Sequence, residues 1–130
     1  MLDNFKEMPL LLKMMAIHSG FCLLAAIIVL IPRDSFGIDD RSVSYAEWIS
    51  SGTGPTLSAL TFLLAAAGFL LLKKRRIGCY IYLACFGGLL TIYPALKSDY
   101  SSAIFGLVIA SALGIYLFKN AQVRAYLAPN

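Results

Sequence analysis

The stretch "GFLLLKKRRIGCYIYLA", residues 68–84, sets four consecutive cations between two runs that carry no charge. Such a cluster has three readings: a nucleic-acid patch, an exposed processing site, or the corner between two membrane helices. No basic face or base-stacking platform surrounds Lys73, Lys74, Arg75 and Arg76, which argues against nucleic acid. A protease site or localisation signal needs an exposed, flexible basic segment, whereas these four residues are pinned between long apolar runs. The corner reading remains, and it organises the rest of the chain.

Composition points the same way. The 130 residues are 59% hydrophobic and 14% charged, with a mean hydropathy of +0.77; soluble domains run at about 45–50% apolar and 25% charged. A single globular domain of this length lacks the polar side chains to cover so much Leu, Ile, Ala and Phe. The net charge of +4 reflects cations gathered at the ends of apolar segments, not a basic surface.

Four apolar stretches, 14–31, 56–72, 77–96 and 102–118, are long enough to cross about 30 Å of hydrocarbon at about 1.5 Å per residue. They are continuously apolar instead of alternating, which excludes the strands of a membrane barrel. Every backbone group in lipid must then be paired within its own segment, and that requires helices. The expected fold is an all-α integral membrane protein: a four-helix transmembrane bundle forming one polytopic domain over 1–130, with one structured outer loop at 32–55.

Orientation follows from the cation distribution. Lys6, Lys13, Lys73, Lys74, Arg75, Arg76, Lys119 and Arg124 fall on one side, and Arg33, Arg41 and Lys97 on the other. The acids lean oppositely, with Asp34, Asp39, Asp40, Glu47 and Asp99 beside the minority cations. The expectation is N-in/C-in in a bacterial-type cytoplasmic (inner) membrane. The first apolar run ends in "IVLIPRD" with no small-x-small cleavage site, so it reads as a retained span, not a signal peptide. Ahead of it, Leu2, Phe5 and Met8 lie at helical spacing and Pro9 suits a first helical position. This predicts a short interfacial helix. At the other end Val123, Tyr126 and Leu127 are expected along the inner membrane surface.

Within the outer loop, "SFGIDDRSV" reads as a small hairpin turning at Asp39 to Arg41. "SYAE" matches a capping box, with Ser44 as N-cap and Glu47 reaching back, opening a short helix that presents Tyr45, Trp48 and Ile49. These three are either interfacial anchors or a partner-binding epitope. Pro55 is expected to begin the second span.

Membrane helices associate by close approach of small residues. Ser58, Thr61, Ala65 and Gly68 follow one face of the second span; Gly106, Ala110 and Gly114 form a ridge on the fourth; Gly87, Gly88 and Thr91 lie on the third. Such ridges serve either the interior of one bundle or a homodimer seam.

Chemistry within a membrane is usually carried by an embedded ionisable residue, and no acidic residue falls within a span. The chain is similar in size to the small four-span multidrug exporters, which rely on a glutamate in the first helix; here that helix reads "MMAIHSGFCLLAAIIVLI". His18 and Cys22 share a face at i and i+4, with Cys85 at similar depth on the third span. Soft ligands of this kind suit zinc or haem iron, but a two-residue spacing is no ligand set, and structural polar packing is the expectation, with no metal or cofactor. No nucleophile-elbow serine or phosphate-binding loop is present, and the three cysteines lie within spans, away from the outer loops.

The functional expectation is a non-enzymatic interaction protein: an accessory or regulatory subunit, or an immunity-type protein, binding a membrane or periplasmic protein partner. The alternative is a homo-oligomeric small-solute or ion transporter with Ser58, Thr61, Thr91, Ser111 and His18 lining a path. A redox role resting on His18 and Cys22 ranks third.

Overall fold

Continuous apolar runs form helices because each backbone amide finds its partner four residues away without help from a neighbouring segment. In a computed structural model of the chain, which describes residues 2–33, 36–38 and 41–128, this happens four times over 20 residues. The order is α1 (Leu2–Glu7), α2 (Leu10–Val29), β1 (Phe36–Ile38), β2 (Arg41–Val43), α3 (Tyr45–Ser50), α4 (Thr53–Leu72), α5 (Ile77–Leu96), α6 (Tyr100–Lys119) and α7 (Ala121–Tyr126). Helix accounts for 80% of the described residues. Helices α2, α4, α5 and α6 are each long and apolar enough to cross a membrane.

Helix α5 spans the expected 77–96, while α2, α4 and α6 start earlier than their apolar runs suggest. Pro9 is the extended N-cap of α2 (φ −54°, ψ 147°), and the Lys13 amide donates to its carbonyl at 3.0 Å. A lysine is no obstacle to helix, only to burial, so α2 takes in the charge that bounded the apolar stretch. Gly52 lies in the left-handed region (φ 79°) and turns the chain into α4, with Pro55 in the first turn, where its missing amide proton costs nothing. Asp99 caps α6 by accepting from the Ser102 amide at 3.2 Å and the Ser101 hydroxyl at 3.0 Å. The Ser102 side chain and backbone, then Ser101, hold its carboxyl below the ordinary value.

Helix α2 packs on α4, α4 on α5, and α5 on α6, so each long helix lies beside its neighbour in sequence. The core does not run evenly along this row. Leu12 and Met15 at the start of α2, Ala67 and Leu71 at the end of α4, Cys79 and Tyr82 at the start of α5, and Leu117 at the end of α6 form one cluster, beside the cationic corner. Met8 from the α1–α2 joint and Val123, Tyr126 and Leu127 from α7 and its end close it from below.

Here the structure departs from the surface-lying role expected of the C-terminal segment. Asn120 caps α7 through hydrogen bonds from the Gln122 and Val123 amides at 2.9 and 3.2 Å, and the helix tucks Val123 completely out of reach of solvent. The termini add donors to the last carbonyls of α4, which lie beyond the reach of its own amides: Asn4 donates its amide to the Leu72 carbonyl at 2.9 Å, and the Tyr126 hydroxyl donates at 3.2 Å to that of Leu71, which also accepts from the Lys74 amide. Burial, then the Glu7 charge, pushes the Tyr126 phenol up from its ordinary value, which keeps the donor proton in place. Lys74 pairs with Glu7 at 2.9 Å.

Both short turns between long helices close in the same way. The Arg75 amide returns to the Leu70 carbonyl and that of Lys74 to Leu71, both at 2.9 Å, with Lys74 at φ 56°. The Asp99 amide returns to Pro94 and that of Ser98 to Ala95, both at 3.0 Å, with Ser98 at φ 60°. These are Schellman endings with a non-glycine residue at the left-handed position.

Candidate functional site

The expected hairpin is present, with Phe36 opposite Val43, Gly37 opposite Ser42 and Ile38 opposite Arg41; Asp39 and Asp40 of its turn lie outside the described residues. Ser44 caps α3, its hydroxyl accepting from the Glu47 amide at 3.3 Å. The three candidate partner-binding residues then meet different fates. Trp48 is 3% exposed, stacked on Phe36 at 4.6 Å between ring centroids and lying against Gly54. A Cβ at Gly54 would overlap the indole, so this glycine is what admits the ring to the start of α4. Tyr45 is half-buried and its hydroxyl donates to the Leu30 carbonyl at 3.4 Å, pinning the loop to the end of α2. Ile49 is exposed. Any partner surface here is made of Ile49 and the edge of Tyr45, with Trp48 as the support beneath.

His18 meets a side chain that the sequence reading did not foresee. The Tyr82 hydroxyl stands 2.8 Å from His18 Nδ1, joining α2 to α5. The imidazole meets Tyr82 and Phe86 edge-on, at 5.8 and 5.5 Å between centroids. Cys22 Sγ lies 3.7 Å from Nε2. In the tautomer protonated at Nε2, Tyr82 donates to Nδ1, while the sulfur, 3.9 Å from Nδ1 as well, lies nearly equidistant from the two ring nitrogens. Cys85 does not complete the set: among the described residues no group of three or more His, Cys, Asp or Glu comes within reach of one metal ion. Depth counting carried a usable signal, since Tyr82 lies about as far beyond Arg76 as His18 beyond Lys13. Beside the histidine, the Ser19 hydroxyl is buried with no hydrogen-bond partner among the described residues.

The small-residue ridges sit between helices of this one chain. A Cβ on Gly106 would overlap the Leu90 carbonyl. That carbonyl belongs to the residue four before Pro94, which has no amide proton to offer it, so the glycine Cα–H approaches an oxygen that the helix itself leaves free. Further along the seam, a Cβ on Gly87 would stand 3.2 Å from that of Ala110, and one on Gly114 would stand 3.3 Å from Leu83 Cδ2. Gly68 presses on Ser19 of α2. Ser58 is buried on α4, and Thr61 and Ala65 are half-buried. Two close approaches escaped the sequence reading: Gly78 beneath the Ala67 carbonyl, and the α2 stripe of Ser19, Cys22 and Ala26.

The hydroxyls proposed to line a transport path have different surroundings. Thr61 donates to the Leu57 and Ser58 carbonyls at 2.9 Å and Thr91 to that of Gly87 at 2.8 Å, while Ser111 is exposed on α6. At the cationic corner, Lys73 Nζ lies 4.5 Å from the Phe69 ring centroid, Lys74 is held by Glu7, and Arg75 and Arg76 are exposed. No protein-family model, curated protein or solved structure matches the chain.

Proposed function

We propose that this chain is a non-enzymatic multi-pass protein of a bacterial-type cytoplasmic membrane that works by binding another membrane protein, as an accessory, regulatory or immunity-type subunit. The observation that carries this reading is the exposure of α6. Like α2 it has one principal neighbour among the long helices, but it is the least buried of the four, and Ile104, Phe105, Val108 and Ile115 are all more than 60% exposed. A partner helix laid along that face would gain the dispersion contacts that bind helices in lipid, with Ile49 and the Tyr45 edge available above the bilayer. The cationic corner, α1 and α7 are gathered at one end of the bundle, and the positive-inside rule places that end in the cytoplasm.

Photo-crosslinking from Val108 and Ile115 in intact membranes tests the reading against Ile17 and Phe21 on α2 as controls. A discrete adduct with a different chain, formed from α6 and not from α2, is expected. An adduct of twice the chain's own mass favours the homo-oligomeric transporter, and equal labelling from both helices leaves α6 facing only lipid. Orientation is read separately on a cysteine-free background: a cysteine at Ser42 is expected to react from outside and one at Asn120 only after the membrane is opened. The reverse pattern inverts the topology.

A further inference from the structure

We infer that the corner at residues 73–76 is a binding site for a phosphate-bearing anion, beyond its role in setting topology. A topological signal requires only that positive charge be present in the loop. Here the loop also builds a cavity of about 660 Å³, lined by Lys73, Lys74, Arg75, Arg76, Asn4 and Leu127. That volume lies in the range of about 300–1,000 Å³ typical of ligand sites. Four cations and no acid line it. Among the described residues one ion pair is made at this corner, from Lys74 to Glu7; Lys73 rests over the Phe69 ring, and both guanidinium groups stand exposed. The start of the 20-residue helix α5 adds to the same field, because Arg76 at its N-cap makes no side-chain cap and no acid lies in its first turn. Four cationic residues on one cavity wall, two of them arginines whose guanidinium groups are held by no ion pair among the described residues, suit an anion with several charged oxygens, and phosphate takes bidentate arginine contacts well.

The cavity lies where α4 ends and α5 begins, with apolar Leu127 on its wall. If these helices cross a membrane, as proposed above, this is the level of the headgroups, and cationic pockets there take anionic lipid headgroups. The same chemistry would also accept soluble phosphate.

The test is thermal unfolding of the whole chain in neutral detergent with three probes at fixed ionic strength: phosphatidylglycerol, phosphatidylcholine and inorganic phosphate. Phosphatidylglycerol is expected to raise Tm by several degrees and phosphatidylcholine not to. The double variant Arg75→Gln/Arg76→Gln is expected to lose most of that shift, Arg75→Lys/Arg76→Lys to keep part of it, and Lys119→Gln to keep all of it. Should the double glutamine variant fail to fold, Lys73→Gln, which breaks no ion pair, gives the same reading with a smaller loss. Equal shifts from the two lipids with none from phosphate, or an undiminished shift in the glutamine variants, overturns the site. A shift from inorganic phosphate alone, lost in the same variants, supports the anion site and assigns it to a soluble source. Alkaline extraction of membranes separates this inference from the membrane reading: release of the protein removes the lipid source, and the phosphate arm still decides the cavity.

Discussion

The two ends of the bundle are built from the same devices and tied down very differently. Each has a close glycine approach between long helices, Gly68 on Ser19 at the cationic end and Gly106 on Leu90 at the other, and each has a Schellman turn with a non-glycine residue at the left-handed position. At the cationic end, segments far apart in sequence converge: Asn4 on Leu72, Glu7 on Lys74 and Tyr126 on Leu71, above a core drawn from all four long helices. At the opposite end the ties reach less far along the chain: the Tyr45 hydroxyl bonds the Leu30 carbonyl at the end of α2, and the aromatic packing of Phe36, Tyr45 and Trp48 stays within the loop and the first turn of α4. Identical local chemistry therefore carries unequal weight. Where many contacts overlap, one can yield; where α6 meets α5 at a single seam, none can.

Gly106→Leu is the sharpest way to break this contrast. The obstacle is a backbone carbonyl, which has no rotamer to escape into, and α6 has no second long helix to hold it. We expect a loss above about 3 kcal/mol, beyond the usual cost of overpacking, visible as early loss of hydrogen-exchange protection confined to α6. Gly114→Ala on the same ridge meets only the flexible end of Leu83 and should change stability by less than about 0.5 kcal/mol. Equal effects from the two would show that the seam does not depend on backbone approach.

Gly68→Ala at the cationic end is expected to cost about 1–3 kcal/mol, because Ser19 is fixed close to its own backbone, yet the helices should stay assembled under the surrounding contacts. Loss of α2 protection alone would show that this end is no better tied than the other. For the His18 bridge, His18→Leu strands the Tyr82 hydroxyl and should cost about 1 kcal/mol, whereas His18→Gln keeps a donor and an acceptor in reach. A double-mutant cycle with Tyr82→Phe should return a coupling of about 0.6–1.7 kcal/mol; a value near zero would remove the bridge from the account.

One expected effect is a gain. Ser98→Gly relieves a left-handed residue and should stabilise by up to about 1 kcal/mol, less the extra entropy that glycine brings to the unfolded chain. Lys74→Gly relieves the same strain but also removes the Glu7 ion pair, and should fall below it. The reverse order would place backbone strain ahead of tertiary ties at the cationic end.

The long helices, the hairpin and the Ser44 cap were legible in the residues, because each rests on local rules: continuous apolarity, alternation, and a hydroxyl placed before a helix. What was hidden depended on partners distant in sequence. Trp48 reads as an interfacial anchor until Gly54 is seen to open space for its ring. Val123 and Tyr126 read as a surface stripe until Val123 enters the core and the Leu71 carbonyl takes the Tyr126 hydroxyl as a second donor. For His18 only structural polar packing was legible; its partner Tyr82 lies 64 residues away, while Thr61 and Thr91 spend their hydroxyls on their own helices. Gly78 was invisible for another reason: one glycine in an apolar run has no pattern until the neighbouring helix supplies the Ala67 carbonyl.

Trp48 is the only tryptophan in the sequence, and its seat between Phe36 and Gly54 makes it an optical probe of one end of the molecule. Its emission will follow departure of the loop between α2 and α4 from the start of α4, while far-ultraviolet circular dichroism follows the helices. In a chain tied as unevenly as this one, the two signals should separate during denaturation, fluorescence shifting first. A melt read by fluorescence alone would then report the release of a loop as the unfolding of a protein whose opposite end is still intact.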